Sequence, residues 1–179
     1  MDYGLVFYIL GQVLKVEFAL MLFPLAVSII YKEGISTYLI WLFVSIISLV
    51  LGIILSIKKP KGRPLNLRDG NICVGLTWIV MSVIGTLPFV LTKDIPNFID
   101  AFFETVSGFT TTGASILPKV EMLRRSTMFW HSFTHWIGGM GIFVFIMSFL
   151  PLLGSSTIHL MRAESPGYSV DRMLPRLKD

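Results

Sequence analysis

Four runs of apolar residues, at about Tyr8 to Tyr31, Thr37 to Ile57, Ile72 to Leu91 and Met128 to Leu153, divide this chain. A hydrocarbon core of roughly 30 Å is crossed by about 20 helical residues, so each run is predicted to be a transmembrane helix. Polar and helix-breaking residues punctuate them. Lys32-Glu33-Gly34 ends the first run, Lys58-Lys59-Pro60-Lys61-Gly62-Arg63-Pro64 separates the second from the third, and Asp94-Ile95-Pro96-Asn97 closes the third. Lipid offers a bare peptide group no partner, so the spans must be helices. Non-helical chain at membrane depth is tolerated only where protein or water surrounds it.

The stretch between the third and fourth runs carries the chemistry. Asn97 is a suitable cap for a helix predicted from about Phe98 to Ser107. Ten residues at 1.5 Å each cover about 15 Å, half the membrane. The chain then turns polar and flexible at Gly108 and continues Thr110-Thr111-Thr112-Gly113-Ala114-Ser115. A half-length helix aims its negative carbonyl end at the membrane centre, which favours a cation there. Thr110, Thr111, Thr112, Gly113 and Ala114 offer only carbonyl and hydroxyl oxygens, which suit a hard monovalent ion and can replace its water shell. Gly113 adopts backbone angles closed to other residues and brings the chain to an axis without a side chain. The implied element is a re-entrant pore loop. The competing reading is an ordinary turn, which does not require the half-length helix in front of it.

Composition agrees with a lipid solvent: 54% of the 179 residues are hydrophobic and 15% charged, with a mean hydropathy of +0.74. The one cysteine, Cys73, lies inside the third run and excludes a disulfide framework or a cysteine-based metal cluster. Met1-Asp2-Tyr3 lacks the positive flank of a secretory signal, so the first run is expected to be retained. Orientation follows Lys and Arg. Nine of the fifteen lie on one side, in the loop after the second run and in the tail, which is expected to place both termini in the cytoplasm and the pore loop outside. As a nucleic-acid patch the basic loop is weak, because it has no aromatic interleaving and lies between spans.

Four motifs carry a resemblance: Phe102-Phe103-Glu104 through Thr111-Thr112-Gly113-Ala114-Ser115; His135-Trp136-Ile137-Gly138-Gly139-Met140-Gly141; Leu150-Pro151-Leu152-Leu153-Gly154; and Met161-Arg162-Ala163-Glu164-Ser165-Pro166-Gly167. In that order they resemble the Trk/Ktr/HKT potassium transporter superfamily, the bacterial Trk/Ktr-type membrane subunit in particular. The resemblance covers nearly the whole chain. It implies an all-α integral membrane fold with two leading transmembrane helices (1–57), a basic cytoplasmic loop (58–71), a first helix, re-entrant pore loop, helix repeat (72–154) and a cytoplasmic link to a second repeat (155–179). It also implies multi-pass insertion in the inner (plasma) membrane, potassium uptake through a pore of four such repeats, and a filter glycine at Gly113. Thr111, Thr112 and Gly113 would ligate potassium by backbone or hydroxyl oxygens, with Glu104 and Ser115 as filter support. Sodium-carrying relatives often have Ser where this chain has Gly113. No cofactor is implied, potassium being the transported ion. Implied partners are membrane lipid, the remaining pore repeats, a second copy forming a homodimer, and a cytosolic nucleotide-binding regulatory subunit contacting the tail from Arg162 to Asp179, with no nucleic acid. The departure is length. This chain stops at Asp179, in the link to the second repeat, so it is expected to be an amino-terminal part of a longer transporter, or a short form needing partner repeats, that supplies one quarter of a filter and does not conduct as a monomer.

Other residues have milder readings. His131 and His135, spaced i, i+4, would share a helix face, but no third metal ligand is near. The family pattern often has Arg at the first position, and His131 is expected to take a vestibule or packing role. Gly138, Gly139 and Gly141 read as close packing rather than a hinge, and Gly11 and Pro24 as contact and kink. Lys15 and Glu17 are expected near the cytoplasmic end of the first span, where long side chains snorkel. Glu104 differs: an acid on the pore helix near the midplane must face protein and accept hydrogen bonds there. Arg124 and Arg125, outside the filter, are candidates for tuning the local potential. Enzyme signatures are absent, with no phosphate-cradling Gly loop, no Gly-x-Ser-x-Gly and no His-Glu-x-x-His, and Ser155 and His159 are too isolated for a nucleophile and base. The remaining alternative is a helical membrane protein with an assembly or scaffold role and no permeation, in which Thr110 to Ser115 is a connector.

Overall fold

The apolar runs form helices longer than their most hydrophobic parts. In the computed structural model, which describes residues 3–57 and 67–149, α1 spans Tyr3–Ile30, α2 Ile35–Ser56, α3 Leu67–Leu91, α4 Phe98–Phe109 and α5 Arg125–Phe149, with a short 3-10 turn at Val120–Met122. Among the described residues α1, α2 and α3 contain stretches long and apolar enough to cross a membrane. The fourth expected span is helical as α5 and passes out of the described residues after Phe149. The basic loop from Lys58, apart from α3's beginning at Leu67, also lies outside them, as do the Leu150–Gly154 and Met161–Gly167 motifs, Ser155, His159 and the tail. Residues up to Gly139 form one unit, and the last turns of α5, from Met140, belong to a second.

α1 and α2 form an antiparallel hairpin. The turn closes with Lys32 in the left-handed region at φ 52° and Gly34 at φ 108°, and the amides of Lys32 and Glu33 return to the carbonyls of Ile29 and Ser28. The helices meet through glycines: a Cβ on Gly11 would stand 2.7 Å from the Gly52 carbonyl oxygen, and one on Gly52 2.9 Å from that of Gly11. Such backbone approach is what small residues permit where lipid supplies no hydrophobic driving force between helices. The Ser48 hydroxyl adds a bond across the pair to the Leu14 carbonyl, 2.8 Å.

Glu17 departs from its sequence reading. It lies in the middle of α1, its side chain is buried at 0% exposure, and both carboxyl oxygens lack a hydrogen-bond partner. Leu14 and Met21, one turn either side, are buried too. Glu17 therefore points inward with them and does not snorkel.

Two tryptophans tie the hairpin to the remaining helices. Trp41 of α2 and Trp130 of α5 are fully buried and meet nearly edge to face at 6.0 Å, while Phe109 of α4 meets Trp130 at 6.3 Å. Buried indole N–H groups need acceptors. Trp130 donates to the Gly85 carbonyl of α3 at 2.9 Å, and Trp41 to the Ser126 hydroxyl of α5 at 3.1 Å. At the end bearing the α1–α2 turn, Glu33 accepts from the Ser126 amide at 2.8 Å and from its hydroxyl. Asp94 accepts from the Thr127 hydroxyl and pairs with Arg124 at 3.4 Å. Two acids thus cap the positive end of α5, and Arg124, bonded also to the Thr92 carbonyl, is part of that cap.

Candidate ion-binding loop

Asn97 starts α4 by accepting from the Ile99 amide at 3.1 Å, and Asp100 lies in the first turn. The helix runs two residues beyond its expected end, to Phe109, and its twelve residues cover about 18 Å. It is half the length needed to cross.

Its end is a Schellman motif. The Thr112 amide returns to the Ser107 carbonyl and the Thr111 amide to the Gly108 carbonyl, both at 3.0 Å. This closure requires a left-handed residue just past the helix, usually glycine. Here it is Thr111, at φ 56°. With the amides of Thr110, Thr111 and Thr112 all directed back to the helix, the oxygens are what this segment has left to present. The hydroxyls of Thr110 and Thr112 lie 2.8 Å apart. Gly113 follows at φ 73°, and a Cβ there would meet nothing within 4 Å. Within this chain glycine is required by the dihedral rather than by crowding. Thr110 through Ser115 are exposed.

The returning chain is tied to α4 at two heights. The Ser107 hydroxyl donates to the Ala114 carbonyl at 2.6 Å. One turn earlier Glu104, its side chain at 0% exposure, accepts from the Ser115 hydroxyl at 2.7 Å and from the Ile116 amide at 3.1 Å. The Ser115 hydroxyl accepts in turn from the Leu117 amide at 3.1 Å. Glu104 thus has the hydrogen-bonded, protein-facing setting expected of it.

Sequence reading missed three features: the Ser107 tie, the left-handed Thr111, and His131, whose Nε2 lies 2.7 Å from Glu104 Oε1. The signal for His131 was available, since a buried acid needs a donor and His131 is a polar ring early in the next helix. His131 and His135 do not converge on a common point: His135 Nδ1 is 3.0 Å from the His131 carbonyl. Among the described residues no three His, Cys, Asp or Glu side chains group to hold a metal ion.

Glycines set the loop on α5. A Cβ on Gly108 would stand 2.1 Å from the Thr134 hydroxyl, and one on Gly138 2.2 Å from the Phe109 carbonyl oxygen. Gly138 therefore serves packing, as expected.

A half-length helix closed by an oxygen-rich turn, set among membrane-length helices, defines an all-α, multi-pass integral membrane protein with a re-entrant loop. A family model described as "TrkH: Cation transport protein" matches residues 39–178, and the chain belongs to that family. It is 37% identical to the Trk system potassium uptake protein TrkG of Escherichia coli, over 89% of this chain and 33% of that protein. To the Trk system potassium uptake protein TrkH of Vibrio parahaemolyticus it is 34% identical, over 100% of this chain and 37% of that protein. The crystal structure of the potassium transporter TrkH from Vibrio parahaemolyticus superimposes with a TM-score of 0.76 at 31% identity, over 84% of this chain and 32% of that one. The chain thus spans about a third of the length of these relatives. A family of cation transport proteins agrees with the expected lack of enzymatic chemistry.

Proposed function

We propose that this chain is the amino-terminal part of a potassium-uptake transporter and supplies one quarter of its selectivity filter. The observation that carries the proposal is the turn at the end of α4, where three amides are bonded backward and residues Thr110 to Gly113 are exposed. Carbonyl and hydroxyl oxygens of Thr111, Thr112 and Gly113 replace part of the ion's hydration shell. Thr110 and Ala114 flank them, and Glu104 and Ser115 support the loop. One loop cannot surround an ion, so three further repeats complete the ring. Relatives named as potassium uptake proteins support the choice of ion.

The same reading takes 1–57 as leading helices, 58–71 as a basic cytoplasmic loop whose last residues already belong to α3 from Leu67, 72–154 as the first repeat and 155–179 as the link onward. The charge bias supports an orientation with both termini of this chain cytoplasmic, and the family resemblance supports insertion in the inner membrane. Assembly as a homodimer, with a cytosolic nucleotide-binding subunit near the tail, belongs to the same reading. The test is Gly113→Val in a complete four-repeat transporter carrying these residues. Uptake of potassium is expected to be lost, or to lose preference over sodium. Unchanged uptake would instead favour the scaffold reading, with Thr110 to Ser115 as a connector.

A further inference from the structure

We propose that His131 is a positioning residue for the filter loop, acting on it through Glu104; the inference rests on the filter reading above. Glu104 is where two parts of the chain meet. Its Oε2 accepts from Ile116 and its Oε1 from Ser115, both on the returning strand, while His131 approaches Oε1 from α5. A carboxylate only accepts, so each donor limits how it can turn. Ser115 and Ile116 move with the loop. His131 is held by the helix behind it, and its bond fixes the carboxylate against something other than the loop itself.

The surroundings prepare His131 for this. Its carbonyl is engaged by the Thr134 hydroxyl at 2.7 Å and lies 3.0 Å from His135 Nδ1, and the two imidazole rings are 5.0 Å apart. Gly108 and Gly138 let α4 and α5 approach until the imidazole reaches the carboxylate. Its Nε2 is occupied by Glu104, so His131 acts at second hand and does not touch the ion. Without that donor Glu104 can rotate, and Ser115 and Ile116 rotate with it. Carbonyls two and three residues upstream then lose the spacing that separates potassium from sodium.

The experiment compares His131→Leu, His131→Gln and Gly113→Val in the complete transporter, reading rubidium and sodium uptake, KM, and abundance in the membrane. His131→Leu is expected to lower the potassium-like over sodium preference about tenfold at unchanged abundance, the size of one lost charge-assisted hydrogen bond. Glutamine supplies an N–H donor and is expected to restore most of the preference. Should His131→Leu not accumulate, Ser115→Ala removes the other donor to the same oxygen and must shift the preference in the same direction. Wild-type preference and KM in His131→Leu, beside an inactive Gly113→Val, overturn the positioning role alone. Glutamine no better than leucine at equal abundance does the same. A Gly113→Val transporter with parental uptake overturns the filter reading and the positioning role with it.

Discussion

Thr111 is the residue whose conformation is hardest to account for by local preference. A β-branched side chain in the left-handed region costs about 1–2 kcal/mol relative to ordinary backbone, and glycine is the usual occupant of this position after a helix. Thr111 sits there at φ 56° with its side chain exposed, so the strain is not offset by burial. Thr111→Gly is therefore expected to raise stability slightly, by about 1 kcal/mol or less once the greater freedom of glycine in the unfolded chain is subtracted. On the proposed filter role, the same change in a complete transporter is expected to weaken preference for potassium, because a freer turn no longer fixes the carbonyls. Detergent unfolding and paired rubidium and sodium uptake measure the two effects. A destabilised variant with unaltered preference would show that the strain serves neither. Gly113 was readable from sequence because glycine between oxygen-bearing residues has few other uses. Thr111 was not, since nothing in Thr-Thr-Thr marks which residue turns left-handed.

At the scale of elements, helix existence was legible and helix facing was not. Length and apolarity predicted α1, α2 and α3, and the half-length of α4 followed from Asn97 and Gly108. α1 is apolar nearly all round, so its sequence carries no stripe to say which side meets α2. Glu17 was misplaced for that reason: it shares the buried face of α1 with Leu14 and Met21, and only packing picks that face. Gly11 was recognised as a contact from its size, but its partner Gly52 emerges only in the packed pair. Gly11→Leu is expected to separate α1 from α2 and destabilise the chain by about 3 kcal/mol, near the upper end for overpacking, because the obstructing atoms are backbone. Unfolding midpoints in detergent would reveal it, and a midpoint equal to the parent's would remove the close crossing from the account.

For the molecule as a whole, two observations bear on orientation. The α1–α2 turn, Asp94 and the start of α5 share one end through the bonds of Glu33 and Asp94, and α2 carries the chain from that end toward the basic loop. On the proposed orientation, with both termini cytoplasmic, the positive-inside rule predicts that the shared end is the outer one. Lys61→Cys is expected to react with a membrane-impermeant maleimide in inverted vesicles and not in intact cells. Background labelling should be low, because Cys73 is buried. Labelling from the outside would reverse the orientation.

By itself, the sequence determined the solvent, the number of long helices, the half-length of α4 and the oxygen-rich loop, because length and apolarity are set by the bilayer and are read residue by residue. Tertiary structure alone decided that His131 meets Glu104, that Ser107 ties the loop to α4, that Glu17 faces inward and that Gly11 meets Gly52. Those contacts join residues far apart along the chain, lie on helix faces that carry no periodic signal, or, for Ser107, depend on how the chain turns back after α4, and only the folded chain brings them within hydrogen-bonding or van der Waals range.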